Sequence, residues 1–469
     1  MEQLGSDSYF DIIIIGAGAS GLMSACLLAS QGGRAGDDPA SFDMDYISSH
    51  VGSEDLKRIL VLEKENKVGR KLSATGNGRC NLTNLDMDWK KYYGDREWIS
   101  TVIDEVTPQR VIRQFEKLGV LTREKDGYVY PHSNQAQTVV GALYRGMRSD
   151  NITLKTGCRV TEVICEDHYE PGVCLKEDVG PDMVIDVDGD TGEVTHIPGR
   201  FTVVTEDCTY ESDKLIMACG TPAGREQGGV DDGYRFLRSL GHDVTSVYPG
   251  LTGLDAAGRF WKDVAGTRVQ GSFTLYVDGM KQGTDTGEIQ ITKTGVSGIP
   301  VFQMCRMAAE GLDKDKRVWG EIDFVPAMSV EDLESWIGLH GIDGLVPGKW
   351  IKVLGYGQKS IKTLAKTLKQ FEFTITDTYG IERAQVAAGG VPVSEVSPET
   401  FESRVCPGLY VLGELVDVDG ICGGYNLHLA WSSAMLACAN INRDRLLEYP
   451  SAYPLGHACA NWIRKGEKS

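Results

Sequence analysis

Asp11-Ile12-Ile13-Ile14-Ile15-Gly16-Ala17-Gly18-Ala19-Ser20-Gly21 is an unbroken apolar run that passes directly into a G-x-G-x-x-G turn. Four consecutive isoleucines have no polar face, so they predict a central parallel strand covered on both sides. The glycines then divide three tasks. Gly16 permits the tight bend, Gly18 lets backbone approach a pyrophosphate, and Gly21 lets a helix over Leu22 to Ala29 pack closely on the strand. Free amides in the first turn of that helix form a seat for phosphate. In a chain with 56 glycines the motif takes its meaning from the strand before it and the helix after it. A dinucleotide is the expected ligand.

The second strand of such a unit ends in an acidic residue that hydrogen-bonds a ribose. Arg58-Ile59-Leu60-Val61-Leu62-Glu63-Lys64 fits, with Glu63 at its tip, although Glu63 lies 42 residues past Gly21 where ~20 is usual. Gly32 to Asp55 is rich in Gly, Ser and Asp and lacks apolar periodicity, so it reads as a surface insertion that leaves the role of Glu63 intact.

At 469 residues the chain exceeds what one core supports, and two or three lobes are expected. No run approaches the ~18 to 20 apolar residues of a membrane span, and Met1 to Tyr9 is too short and polar for a signal peptide, so a cytoplasmic protein without a membrane partner is expected. The twelve cysteines contain no C-x-x-C pair, which argues against a zinc site and a dithiol couple and for reduced, buried thiols. No metal is expected. A net charge of −18 repels polyphosphate backbones and argues against nucleic acid as a partner. Much of it is local, with eleven acidic residues from Glu162 to Arg200 against Lys176 and Arg200, which reads as a solvated excursion.

Beyond Glu63, the segment Gly69 to Asn84 is too rich in Gly, Asn and Thr for a buried element, yet it carries three cations and many donors. It reads as a loop laid along an anionic cofactor. Helices are predicted over Trp98 to Leu118 and Asn134 to Met147, and strands over Thr153 to Cys165, Phe201 to Thr205 and Lys214 to Gly220. From about Pro249 short alternating segments, Ser272 to Val277 and Glu288 to Thr292, predict an antiparallel unit, followed by helices near Ile299 to Glu310, Ser329 to Leu339 and Ser360 to Leu368. Sheet character returns at Gly408 to Glu414. The glycine pair Gly423-Gly424 then opens a helix to about Ile441, a second anion or polar-edge receptor. The expected division is residues 1–248 and 376–469 as one nucleotide-binding domain, with 249–375 inserted as a second lobe.

Gly16 to Gly21, Gly69-Arg70-Lys71, Thr75-Gly76-Asn77-Gly78-Arg79-Cys80-Asn81-Leu82-Thr83-Asn84 and Gly413-Glu414 with Asp417-Val418-Asp419-Gly420 and Gly423-Gly424-Tyr425-Asn426-Leu427 resemble the BaiN/YhiN-type FAD-dependent flavoproteins. Gly295 to Pro300 and Ala387 to Val391 extend the resemblance over nearly the whole chain. It implies an α/β fold: a glutathione-reductase-like FAD domain with an inserted β barrel and small helical unit. Glu63, beside Lys64, would hold the adenosine ribose, and Gly18, Ala19, Ser20 and Gly21 the pyrophosphate. Arg70, Lys71 and Thr75 to Asn81 would run toward the ring, Glu414 beside Gly413 would bind the ribityl chain, and Gly424, Asn426 and Leu427 would place a helix terminus at the pyrimidine edge. Val160, Ala218 and Gly220 complete the implied cofactor-binding set. Two local departures are His428, where glutamine is commoner, and Met217-Ala218-Cys219-Gly220, with cysteine in place of threonine.

A flavin accepts or delivers hydride at one ring face, and the protein sets orientation and electrostatics. Only one complete G-x-G-x-x-G is present, so NADH or NADPH would dock transiently as electron donor. Side chains available for proton work are Tyr425, His428 and Cys80, with Tyr130 and His132 further out. The resemblance implies an oxidoreductase that reduces an activated C=C bond in an apolar, steroid-like small molecule. An oxidase of a small amine such as aminoacetone, and a flavin-holding interaction protein without turnover, stand as alternatives.

Overall fold

The computed structural model describes residues 8–29, 57–166 and 200–448. The insertion read at Gly32 to Asp55 and most of the acidic excursion lie outside the described residues.

The isoleucine run forms Tyr9–Ile15, in which Ile12, Ile13 and Ile14 are fully buried. Each such side chain contributes about 1.5–3 kcal/mol by leaving water. It pairs in parallel with Ile59–Glu63 on one side and Thr209–Met217 on the other. Outward from there lie Ile152–Thr156 beyond the second strand, and Phe201–Thr205 then Val160–Cys165 beyond the third. The short strand Leu409–Val411 returns to pair with Leu215 to Met217, which brings the C-terminal glycine turn to the same sheet end as the first one.

Helix Ala19–Leu28 covers this sheet and packs against the C-terminal helix Tyr425–Glu448 and against Ala136–Gly146. The single helix predicted over Trp98 to Leu118 is two, Arg96–Glu105 and Pro108–Lys117. Pro108 has no N–H to continue the first helix, while the Thr107 hydroxyl caps the second by accepting from Arg110 N. The loop predicted from Gly69 is helical at first: Arg70–Gly78 runs regularly until Thr75 turns extended.

The second lobe is a closed antiparallel barrel whose strands lie between Leu254 and Thr378, closed by the pairing of Leu254–Ala256 with Phe371–Thr378. Trp261, Trp350 and Phe373 meet edge to face in its core, beside the helices Val330–His340, Lys349–Leu354 and Ile361–Lys369. The chain enters and leaves this lobe through one two-stranded neck, Tyr248–Gly250 paired with Val386–Ala388. No helix among the described residues is long and apolar enough to cross a membrane.

Candidate flavin site

At the first turn the strand's end is locked largely by backbone. Gly16 N donates to Leu62 O at 2.8 Å and Gly69 N to Ala17 O at 2.8 Å. A Cβ on Gly21 would lie 1.9 Å from Gly16 O, and one on Gly16 2.4 Å from Ala218 O, so neither position tolerates a side chain. Gly18 differs: its Cβ would meet nothing within 4 Å. It is also the N-cap of helix Ala19–Leu28 with no side-chain cap, so no side chain of its own occupies the helix's first-turn amides.

Glu63 stands at the strand tip as expected and is nearly buried. Its two carboxylate oxygens accept from Ala17 N at 2.8 Å and Glu65 N at 2.9 Å, which fixes its position beside the turn. The neighbouring cations turn to other acids. Lys64 Nζ donates to Glu65 at 3.1 Å, and exposed Arg70 pairs with Glu65 at 2.7 Å and with the Glu226 carbonyl at 2.8 Å. Lys71 reaches across to Glu414 at 2.7 Å, where the Thr221 hydroxyl also donates at 2.9 Å. This half-buried ion pair joins the first cofactor segment to the last. Val160 and Ala218 are buried and Gly220, at positive φ, has open space above its α-carbon.

After Thr75, whose hydroxyl donates back to Leu72 O, the backbone of Gly76, Asn77, Gly78 and Cys80 lies in the left-handed region. For Asn77 and Cys80 this conformation costs about 1–2 kcal/mol each, and strain of this kind collects where a loop is held for a ligand. Cys80 is fully buried, and desolvation pushes its thiol up to about 12. It is a packed side chain with no thiolate to offer. Gly413, also at positive φ, donates its N–H to Ser433 Oγ at 3.0 Å.

The second entrance is gripped by side chains. Asn426 closes the turn by donating to Gly420 O and accepting from Gly420 N, each at 2.7 Å, while Leu427 lies partly buried behind it. Tyr92 donates to Tyr425 O at 3.0 Å, and Tyr425 donates to Asp86 O at 3.1 Å, so the Tyr425 hydroxyl is turned away from proton work. A Cβ on Gly424 would lie 2.9 Å from Asn81 Oδ1 and from Thr83 O.

His428 is fully buried and both ring nitrogens are engaged. Nε2 lies 2.8 Å from Val106 O, an acceptor only, so Nε2 carries the proton and Nδ1 accepts from the Thr83 hydroxyl at 2.8 Å. Burial lowers its pKa to about 4. The histidine considered for acid or base work is therefore a neutral strut tying the last helix to Thr83 and to the end of helix Arg96–Glu105. A lone histidine on an apolar helix carries no sequence signal that separates these two roles.

Sequence reasoning missed a buried ionic group at the barrel boundary. Arg306, on helix Cys305–Asp313, contacts Asp419, lies 3.7 Å from Asp417, and pairs with Glu310 at 2.8 Å. Its guanidinium also covers the Tyr93 ring at 5.4 Å. Three carboxylates share one guanidinium, and burial raises Asp419 to about 7. The D-x-D spacing at 417–419 was visible, but nothing in the sequence joined it to an arginine over a hundred residues earlier.

The HI0933-like protein Rossmann domain family matches residues 47–185 and 181–440. The chain belongs to this family. Within it stand the BaiN/YhiN-type flavoproteins that the motifs resemble. This HI0933-like chain is 33% identical over 450 residues to the 3-dehydro-bile acid delta(4,6)-reductase of Clostridium scindens, covering 90% of the chain and 97% of the relative. It is 26% identical to the ribosomal RNA dihydrouridine synthase of Escherichia coli, covering 92% and 97%. Among solved structures, the 3-ketosteroid-delta4-(5alpha)-dehydrogenase of Rhodococcus jostii aligns with a TM-score of 0.44 at 13% identity, covering 92% of this chain and 97% of that one.

The HI0933-like site fits an FAD. Uncapped amides beyond Gly18 suit the pyrophosphate, and Glu63 sits where a ribose would lie. At the other end Asn81 Oδ1 is buried with no hydrogen-bond partner among the described residues. A buried acceptor left alone costs about 1–3 kcal/mol, and a ring N–H at the pyrimidine edge would satisfy it. Among the described residues no cluster of ligands for a metal ion is present.

Proposed function

We propose that this FAD-dependent oxidoreductase reduces an activated C=C bond in a flat, largely apolar substrate, with NADH or NADPH as transient electron donor. The observation that carries the reading is the 33% identity, over 97% of its length, to a relative named as a 3-dehydro-bile acid reductase. FAD, when bound, supplies hydride transfer at one ring face. The chain's residues supply the rest: amides beyond Gly18 and Glu63 anchor the adenosine half, the Lys71–Glu414 pair stands between the two halves, and Asn81 with Gly424 receives the ring's polar edge. The barrel docks beside the second entrance through Arg306, which contacts Asp419.

A second reading comes from the relatives named as ribosomal RNA dihydrouridine synthases, 26% and 24% identical over nearly their full lengths. It withdraws the exclusion of nucleic acid drawn from net charge. Half of that sum comes from one stretch, Glu162 to Arg200, with eleven acids against two cations, whereas Arg79 and Arg123 stand together beside the Tyr130 ring.

Anaerobic photometry of the yellow holoprotein tests both. Bleaching by NADH or NADPH, followed by reoxidation with an enone bile acid, is expected. Reoxidation by a uridine-containing rRNA fragment and not by the enone would move the assignment to RNA. Bleaching by a small amine, with peroxide released in air, would make the protein an oxidase. No reduction by any of these would leave a binding protein.

A further inference from the structure

One group of side chains lies beside the second entrance, next to the segment expected to follow the cofactor. Tyr128 and Tyr130 stand two apart on strand Tyr128–Pro131 and so share a face. Their rings stack with centroids 6.5 Å apart and planes inclined by 16°. The guanidinium carbons of Arg79 and Arg123 lie 5.8 and 5.9 Å from the centre of the Tyr130 ring, which is thus flanked by two cations. Arg79 uses only Nε, toward Gly76 O, and Arg123 uses one terminal nitrogen, toward Asn134.

The wall adjoins the flavin end of the site. The edge of the Tyr128 ring lies 3.4 Å from where a Cβ on Gly423 would stand. Burial, with a smaller push from the Asp285 carboxylate on the barrel strand Met280–Ile291, raises both the Tyr128 hydroxyl and the Cys422 thiol. Neither tyrosine hydroxyl has a hydrogen-bond partner among the described residues, and Arg123 Nε is buried without one. The buried Arg123 Nε is the group here that lacks a partner and calls for one, while the two hydroxyls are free to exchange water for a ligand's acceptor.

We propose that this wall seats the substrate: Tyr128 and Tyr130 pack against a flat unsaturated ring and donate to its carbonyl, while Arg79 and Arg123 receive an anionic group. What the wall adds is the assignment of residues: the two tyrosines for the ring and its carbonyl, and the two arginines for telling an acid from its neutral analogue. The inference rests on the reductive reading above and narrows it. Two guanidiniums suit one carboxylate, whereas a nucleic-acid strand engages many phosphates and needs a longer basic track than the two cations, Arg79 and Arg123, placed at this wall.

The test titrates the holoprotein with an enone steroid carboxylate and with its methyl ester, following the visible spectrum of the bound FAD. Wild type is expected to bind the acid about tenfold more tightly than the ester, the effect of a charge-assisted contact. Arg123→Gln should bring the acid to the level of the ester and leave the ester unchanged; Arg79→Gln, at an exposed position where the fold is not at stake, should lower the acid's advantage in the same direction, and an advantage unchanged in both variants would overturn the anion seat. Tyr130→Phe should weaken acid and ester alike by about threefold, the loss of one neutral hydrogen bond. Equal binding of acid and ester by wild type would overturn the anion seat while leaving enone reduction standing. Binding of neither, with FAD still bleached by NADH or NADPH, would overturn the steroid substrate itself. Tight binding of a uridine-containing oligonucleotide lost in Tyr130→Phe would give the wall to RNA and overturn the proposal.

Discussion

The two glycine entrances to the flavin site are built on opposite principles. At Gly16 to Gly21 the grip is backbone on backbone, and the contacts that exclude a side chain are carbonyl oxygens of Gly16 and Ala218. At Gly420 to Leu427 the grip is made by side chains from elsewhere: Asn81, Tyr92 and the buried His428 with its partner Thr83. The first entrance therefore rests mainly on backbone, with Glu63 as its one side-chain clamp, while the second rests on side chains drawn from several segments.

Gly21→Val attacks the first kind of grip most directly. Its Cβ falls 1.9 Å from a backbone oxygen, so the helix must lift from the strand, and we expect a loss of about 4 kcal/mol or more in denaturant unfolding. A folded, yellow Gly21→Val protein would show that the backbone lock is not what holds this end. Gly18→Val sharpens the contrast, because its side chain meets open space in the protein. Stability should change by no more than about 1 kcal/mol, yet FAD affinity should fall about a hundredfold or more, read as colourless protein that resists reconstitution.

The second entrance should answer to pH. Asp419 holds its proton up to about pH 7 in the fold and releases it near 3.8 when unfolded. The stability from holding that proton is full below pH 4 and is lost as pH rises toward 7, at most about 4 kcal/mol. Asp419→Asn should flatten that slope in thermal unfolding; an unchanged slope would remove Asp419 from the account. His428 acts with the opposite sign. Neutral in the fold down to about pH 4 and charged near 6.5 when unfolded, it costs stability as pH falls through that window, at most about 3 kcal/mol. His428→Gln should relieve this acid sensitivity without affecting the slope due to Asp419.

The same contrast explains what could be read in advance. The isoleucine strand, its turn and Glu63 obey local rules of period and spacing, so their places follow from a dozen adjacent residues. The break at Thr107-Pro108 was also local, a capping residue followed by proline, and the apolar period running through it concealed the signal. Other elements had no local signature. Alternation announced only the end of strand Met280–Ile291, where Ile289 and Ile291 are buried; its longer first part, Met280 to Gly287, buries no side chain and is paired to Arg268–Val277 with hydroxyl contacts, Ser272 with Thr286 and Thr274 with Thr284, that no hydrophobic alternation announces. Arg306 and the Tyr128–Tyr130 wall belong with these, since their meaning lies in neighbours that only the fold supplies.

The neck, Tyr248–Gly250 against Val386–Ala388, places the departure and the return of the polypeptide side by side. The barrel is thus spliced in at a single paired junction, and a foreign barrel could be grafted there without rerouting the nucleotide-binding core. Such a chimera, yellow but altered in the molecules it accepts, would separate the hardware for electron transfer from the hardware for choice.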